Sequence, residues 1–491
     1  MNKRLVHTIY IVLLLAPLMI VSSCSKILDL EPHNSTFTEA YFTNESDANT
    51  AIAGAYALLR NILIADNTWH VYGDVPAGEF LINGNYDSGN SNVALGLFTG
   101  LNVNGGSYWN WQKYYKLLQQ VNLIIAKVPG IDSTKFVDPA TKSHIIGEAY
   151  FLRAFTYFFM SRVWGGVPLK LTPDYDANAA LNIPRSTADA VLAQCLADVS
   201  IAEKDMAFGY EDEGQRAVRA NKGSAYALEA HIRAWKGDYA GCEAAANTVI
   251  TQGGYQLVDS ANYESVFIGR SAEGIFEINI NSGQNEGIAL NGGGNGSAVT
   301  LMQPFVYGKG YLEWPVRTIY VNKLYAADSA TDIRYSKFFF RSQSSNGQVI
   351  KYANITYADG STKQDPRLNN NLNIFRLADI ILLRAEALNK LGRDGEAVTL
   401  LNEVRKRAGV PDYSGPAGDD LATAILEERL KELFFEGHAY FDLVRSKKLT
   451  DYNESFNGNQ YNNGGWLWPI DPNMFKDDYT LVQTPYWQGK L

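Results

Sequence analysis

Residues 375–393 read FRLADIILLRAEALNKLGR, and this stretch decides the fold. Leu377, Ile380, Ile381, Ala385 and Leu388 recur at steps of three and four, which lays them along one face of a helix starting at Phe375. Leu391-Gly392-Arg393 breaks the pattern, and Ala397, Leu400, Leu401, Val404 and Ala408 make a second stripe directly after it. Two amphipathic helices joined at a glycine form a hairpin. The same device occurs earlier: helical segments over 222–235 and 239–251 are broken at Gly237-Asp238. Ala230 precedes Gly237 by the same interval as Ala385 precedes Gly392, and Leu152-Arg153-Ala154 recurs as Leu383-Arg384-Ala385. Small residues at a helix crossing followed by a glycine turn are the mark of TPR-like hairpins.

Outward from these hairpins, helical spacing recurs over 48–59, 108–128, 144–163, 187–206 and 421–435. Pro129-Gly130 and Trp164-Gly165-Gly166-Val167-Pro168 stop two of these helices, and Ser186 or Thr187 caps another. Residues 61–106 lose the period and read as long loops with short strands. Residues 253–370 are irregular apart from the strand-like alternation of Ile275 to Ile280, and 285–296 is a Gly/Asn-rich loop. The tail, 466–491, reads as irregular. The expected architecture is mainly α: a TPR-like helical-hairpin scaffold with an irregular, loop-rich lobe containing short strands. Residues 24–491 read as one domain, with an N-terminal part over 24–340 and a C-terminal part over 341–491.

The N-terminus carries a different message. Lys3 and Arg4 precede an apolar run from Ile9 to Ile20. A bilayer span needs about 20 residues, so this shorter run reads as the core of a signal peptide over 1–23. Val21-Ser22-Ser23-Cys24 places small residues before a cysteine, the lipobox pattern. Cys24 is therefore the expected lipid attachment site, and several acyl chains at about 0.8 kcal/mol per buried methylene hold a soluble body to a membrane. Cys195 and Cys242 lie in helical segments and read as buried free thiols, although export leaves one bridge between them open.

A net charge of -9 argues against nucleic acid, which selects basic patches. No P-loop, His-Glu-x-x-His or Gly-x-Ser-x-Gly motif occurs, and His231 and His438 stand alone, so no metal, cofactor or catalytic nucleophile is expected. Glu427, Glu428, Glu432 and Glu436 beside Arg429 and Lys431 read as helix-surface pairs or structural ion pairs. Arg384 and Glu386, inside an apolar stripe, read as half-buried contacts between helices.

The chain resembles the SusD/RagB outer-membrane lipoproteins. The likeness runs through Cys24-Ser25-Lys26-Ile27-Leu28-Asp29-Leu30-Glu31-Pro32, the spacing of Trp111, Tyr115 and Asn122, and Glu148 to Ala154 leading to Trp164-Gly165-Gly166-Val167-Pro168. It is most specific in Phe375 to Ala387, in Leu401 to Gly409, and in Glu427-Glu428-Arg429 with Glu432-Leu433. It continues through Glu436-Gly437-His438-Ala439-Tyr440-Phe441-Asp442-Leu443-Val444-Arg445 and the tail around Trp468-Pro469-Ile470 and Gln483-Thr484-Pro485-Tyr486. Ala439 departs from the arginine usual in the family. The resemblance implies four TPR-like hairpins, an irregular ligand-binding side, and a SusC-like TonB-dependent transporter as partner. It also implies oligosaccharide cargo, with peptide in some members, and a lipid-anchored place at the outer-membrane surface.

A pyranose offers an apolar face that stacks on Trp or Tyr, and hydroxyls that need polar partners. Two irregular segments supply that mixture: Trp69, Tyr72, Asp74, Glu79, Asn85 and Tyr86 in the first, and Tyr307, Tyr311, Trp314 and Arg317, with Phe305 and Glu313, in the second. Asn104 and Trp109 are weaker candidates. The expected function is binding of oligosaccharide at the cell surface for import. Two alternatives are a surface glycoside hydrolase using a carboxylate pair and a scaffold subunit that barely touches cargo.

Overall fold

The computed structural model describes residues 41–65, 68–80, 93, 96, 98, 106–175, 182–210, 212–280, 315–345, 347–357 and 366–490. Helix α1 (Glu45–Arg60) starts where the Asn44 side chain accepts from Asp47 N. Helix α2 (Thr68–Gly73) is short, and α3 (Gln112–Lys127) follows. Helix α4 (Pro139–Trp164) opens at an Asp138 cap with proline at its first position. Helix α5 (Ala188–Asp205) is capped by Thr187, and α6 (Lys222–Lys236) by a reciprocal pair of bonds between Asn221 and Ser224. Helix α7 (Tyr239–Gln252) completes the first hairpin.

The irregular lobe holds β1 (Gly274–Ile278), α8 (Thr318–Tyr325), β2 (Phe339–Phe340), β3 (Gln348–Val349), β4 (Ile355–Tyr357), β5 (Pro366–Leu368) and β6 (Leu372–Arg376). The described strands pair as three antiparallel ribbons, β1–β6, β2–β3 and β4–β5. Then come α9 (Leu377–Lys390), α10 (Asp394–Arg407), α11 (Asp419–Glu432) and α12 (Ala439–Arg445).

The helices form one stack. Helix α4 lies between α3 and α5, α5 meets α6, α7 meets α9, and α11 packs on α9. The α6–α7 and α9–α10 hairpins thus sit side by side, although residues 253–376 separate them in the chain. Gly237 and Gly392 close the first helix of each hairpin in the left-handed region, at φ 75° and 73°, the backbone shape that makes glycine the residue of choice there. The apolar core is continuous from Ala48 to Trp487. In α4 every residue from Phe151 to Trp164 is buried, Arg153 and Arg162 included, so this helix is enclosed all round where the stack is deepest.

Three expectations need correction. Phe375 and Arg376 belong to strand β6, where Phe375 pairs with Phe276 and Arg376 with Gly274; the helix begins at Leu377. Helix α4 starts five residues before the periodic signal, because its solvent-facing first turn carries no apolar stripe. The described part of 61–106 holds a π-turn (Asn61–Ala65), α2 and the short helix Gly106–Trp109, with an isolated bridge at Phe80 as its strand pairing. Of the two readings of the acidic stretch, structural ion pairs holds: Glu428, Glu432 and Glu436 pair in the interior, at 1% exposure or less. Arg376 donates to Glu436, Glu432 and Glu273 at 2.6–2.9 Å, Arg334 reaches Asp332, Glu428 and Glu432, and Lys351 reaches Glu436 at 2.7 Å.

Arg384 with Glu243 and Arg445 with Glu386 make the expected contacts between helices. Cys195 and Cys242 are both free and buried. No single helix among the described residues is long and apolar enough to cross a membrane.

Candidate functional site

Trp69, Tyr72, Asp74 and Glu79 are not a ligand-facing surface; all four are fully buried. Helix α2 turns Trp69 inward to stack on Phe155 and Phe159 of α4, and its Nε1 donates to the Glu436 carbonyl at 2.9 Å. Tyr72 packs edge-on against Trp164 and Trp468. The Asp74 carboxylate accepts from Gly437 N at 2.9 Å and lies 2.7 Å from His70 Nδ1. A Cβ on Gly73 would stand 2.2 Å from the Gly437 carbonyl oxygen, and one on Gly437 (φ 78°) 2.3 Å from Trp69 Nε1. Helix α2 is therefore a clamp on the turn after α11. This packing has no local signature, because the Glu436, Gly437 and Trp468 partners lie hundreds of residues away.

The two candidate segments nevertheless share a root. Phe80 and Val316 form an antiparallel bridge. Arg317 N donates to Glu79 O at 2.8 Å, and its Nη1 donates to Gly78 O at 3.1 Å. Val316 N donates in turn to Gly347 O at 2.9 Å, and Asn453 Nδ2 secures the Pro76 carbonyl at 2.8 Å. The stems of the two segments are thus hydrogen-bonded to each other and fixed to the body. Arg317 is half-buried, and among the described residues no carboxylate engages its guanidinium. Among the described residues its remaining N–H groups meet no acceptor, which suits them to an incoming oxygen. Asn85, Tyr86, Tyr307, Tyr311 and Trp314 lie outside the described residues, as does Cys24.

Hydrolysis of a glycoside needs two carboxyls facing the sugar. Asp74, Glu79, Glu273, Glu277 and Asp332, from the irregular lobe and its stems, are all at 1% exposure or less. Burial raises the Asp74 carboxyl against the opposing pull of His70, and raises Glu79 well above the carboxylate range, with the Asp74 charge adding to it. Burial also pushes Glu277 up to about 7. These groups are interior, and none is placed to meet a substrate.

His231 and His438, distant in the chain, converge on Asp379. Its Oδ2 lies 2.8 Å from His231 Nε2, and its Oδ1 accepts from Arg429 Nη2 at 2.9 Å. His438 Nε2 lies 3.1 Å from the Ile374 carbonyl, the geometry of a donated N–H. Burial, which would raise the Asp379 carboxyl, is outweighed by His231, His438 and Arg429, and it ends well below its usual value. Burial pushes His438 down to about 4. With Arg429 already supplying positive charge and both oxygens engaged, the cluster reads as a satisfied polar lock between the two hairpins rather than a metal cradle.

Comparison with known proteins agrees with the fold. A family model described as the SusD family matches residues 319–487, and one described as starch-binding associating with outer membrane matches 26–233. SusD-like protein P38 of Formosa agariphila is 27% identical, over 96% of this chain and 98% of its own. A SusD homolog from Bacteroides thetaiotaomicron superposes with a TM-score of 0.77 at 26% identity, covering 90% of this chain and 98% of that one. A laminarin-binding SusD-like protein superposes with a TM-score of 0.73 at 21% identity, covering 90% and 100%.

Proposed function

The chain belongs to the SusD/RagB family of outer-membrane-associated, nutrient-binding proteins, and from that premise we propose that it captures oligosaccharide at the cell surface and passes it to a SusC-like TonB-dependent transporter. The observation that carries this reading is the shared root of the two aromatic-rich segments, where Phe80 bridges Val316 and, among the described residues, no carboxylate takes up the Arg317 guanidinium. In this reading Tyr86, Tyr307, Tyr311 and Trp314 offer rings to pyranose faces, and Asn85 and Arg317 serve the hydroxyls. Each stacked ring contributes about 1–3 kcal/mol, so two or three give binding in the micromolar-to-millimolar range. Such affinity suits a protein that must let go of its cargo, and tethering beside a transporter raises the local concentration of sugar without tighter contacts. Lipid on Cys24 supplies the tether. The protein carries out no covalent step.

Affinity electrophoresis of the mature chain in gels cast with glycans, laminarin among them, tests the reading. Retarded migration without new reducing ends is expected, and W314A with R317A should abolish the retardation. New reducing ends would make the protein a hydrolase. Unchanged retardation in the double variant would move the site elsewhere, and retention of peptides in place of glycans would change the cargo class. Cys24→Ala should shift the protein from the membrane to the soluble fraction.

A further inference from the structure

A cavity of about 470 Å3 opens between α1, the first turns of α4, the end of α5 and the linker after it. None of its lining residues belongs to the stems of the candidate segments. Its size falls in the roughly 300–1,000 Å3 range of ligand pockets.

The floor is built. Arg219 makes a two-pronged ion pair with Glu148, itself fully buried, and Tyr56 donates to the same carboxylate at 2.7 Å. The wall is also fixed. Lys222 N donates to Ala207 O at 3.0 Å, Glu277 N to Ala217 O at 2.8 Å, and Arg270 Nε to Gly214 O at 2.9 Å. The linker is thereby tied to α6 and β1, and the cavity is preformed.

The lining combines two chemistries. Phe208 and Tyr210 are half-buried rings. Asn49, Thr141, Asp205 and Gln215 present polar side chains with no hydrogen-bond partner among the described residues. His144 Nε2 stops 4.0 Å from Glu148, beyond hydrogen-bond range. Arg219, the cation on the floor, is committed to Glu148, while the lining also carries the carboxylates of Glu45 and Asp205, which disfavours an anion. The polar rim disfavours a purely apolar guest. Two amides, a hydroxyl and a carboxylate, each able to accept and three of them able to donate, match a ring bearing adjacent hydroxyls. The aromatic rings match its C–H face.

We propose that this cavity is a second carbohydrate site, sized for one or two sugar rings and formed by Phe208 and Tyr210 with Asn49, Thr141, Asp205 and Gln215. The inference rests on the glycan-binding reading above and extends it to a separate face of the scaffold. A second weak site on one body lets a polymer held at the first site engage twice, which lengthens its residence.

Ligand-observed NMR with a set of α- and β-linked glucose, galactose and mannose disaccharides tests it on the full mature chain. At least one disaccharide should bind in the millimolar range. F208A with Q215A should weaken that binding by about tenfold or more, and W314A with R317A should leave it in place. The F208A/Q215A variant should still be retarded by the polymer that retards the unaltered protein, which also shows that it folds. If no disaccharide binds while polymer retardation persists, or if F208A/Q215A leaves disaccharide binding intact, the second site is overturned and the glycan-binding reading stands. If the cavity takes tripeptides and no sugar, its assignment to carbohydrate is overturned. If neither polymer nor disaccharide is bound, the functional reading fails and this inference fails with it.

Discussion

Trp69 Nε1 donates a 2.9 Å hydrogen bond to the backbone carbonyl of Glu436, 367 residues further along the chain. The indole is fully buried against Phe155 and Phe159. It staples the N-terminal helices to the turn that follows α11, so its loss should be felt as stability. Trp69→Ala should cost about 3–5 kcal/mol through the cavity it leaves. Trp69→Phe, which keeps most of the ring but orphans the Glu436 carbonyl, should cost about 1–3 kcal/mol. Urea unfolding checks both. Glycan retardation by W69F should be unchanged; its loss without a drop in stability would return Trp69 to the ligand site.

Arg376 sits at 1% exposure among three buried carboxylates, Glu273, Glu432 and Glu436. A buried ion network is weak evidence of net stabilisation, but removing one partner leaves uncompensated charge. Arg376→Met should therefore destabilise by more than about 3 kcal/mol. Arg376→Lys should recover little, since an ammonium cannot reproduce the fork that reaches all three acids. A loss under about 1 kcal/mol in chemical unfolding of R376M would show that Arg407, Arg334 and Lys351 suffice without it.

These contacts mark where sequence reading stops. The hairpins were legible because their information is local: stripes at Leu377 to Leu388 and Ala397 to Ala408, and a glycine where the backbone turns left-handed. Strand β6 was not, because Phe375 and Arg376 continue the apolar run into α9 and only pairing with β1, a hundred residues earlier, makes them extended. A six-residue helix is too short to display a period, so α2 passed for a loop and its aromatics for displayed rings. The meeting of His231, Asp379 and His438, and that of Asn49 with Gln215, likewise have no local signature. The stems were legible as segments, while their joining at Phe80 and Val316 was not.

Two buried groups give opposed pH dependences. Glu277, at 1% exposure, is pushed up to about 7 by burial, against the favourable bonds from Asn371 and Arg270 N. A folded-state value above the unfolded one of about 4.3 means the folded chain holds the extra proton, so this contribution is present below pH 4.3 and lost as pH rises through 7. His438 runs the other way: its folded value of about 4 lies below the ordinary 6.5, so its contribution is present above pH 6.5 and lost as pH falls through 4. Glu277→Gln removes the first effect. The variant should be more stable than the parent at pH 8, by up to about 4 kcal/mol, and should lose stability more steeply between pH 7 and 5. Unfolding curves at pH 8, 6.5 and 5 decide it; parallel pH profiles for the two proteins would mean that Glu277 is ionised in the folded state across this range.

Arg162 poses the converse case, a buried cation with no carboxylate partner among the described residues. It is 4% exposed in α4, its Nε–H has no acceptor, and among the described residues no carboxylate pairs with it. The Asp442 and Asp379 charges nearby are already bound by Arg429. Its guanidinium lies 4.1 Å from the Phe441 ring centroid and 4.5 Å from that of Phe158, contacts worth about 0.5–2 kcal/mol. Burial nonetheless pulls its proton affinity down to about 9, so desolvation exceeds what the rings and distant acids return. A straight apolar side chain should fill the same volume without that cost. Arg162→Met is therefore expected to raise stability by about 1–4 kcal/mol, with glycan retardation unchanged. A destabilisation of about 2 kcal/mol or more in the same urea titration would show that the aromatic contacts of Arg162 outweigh its desolvation.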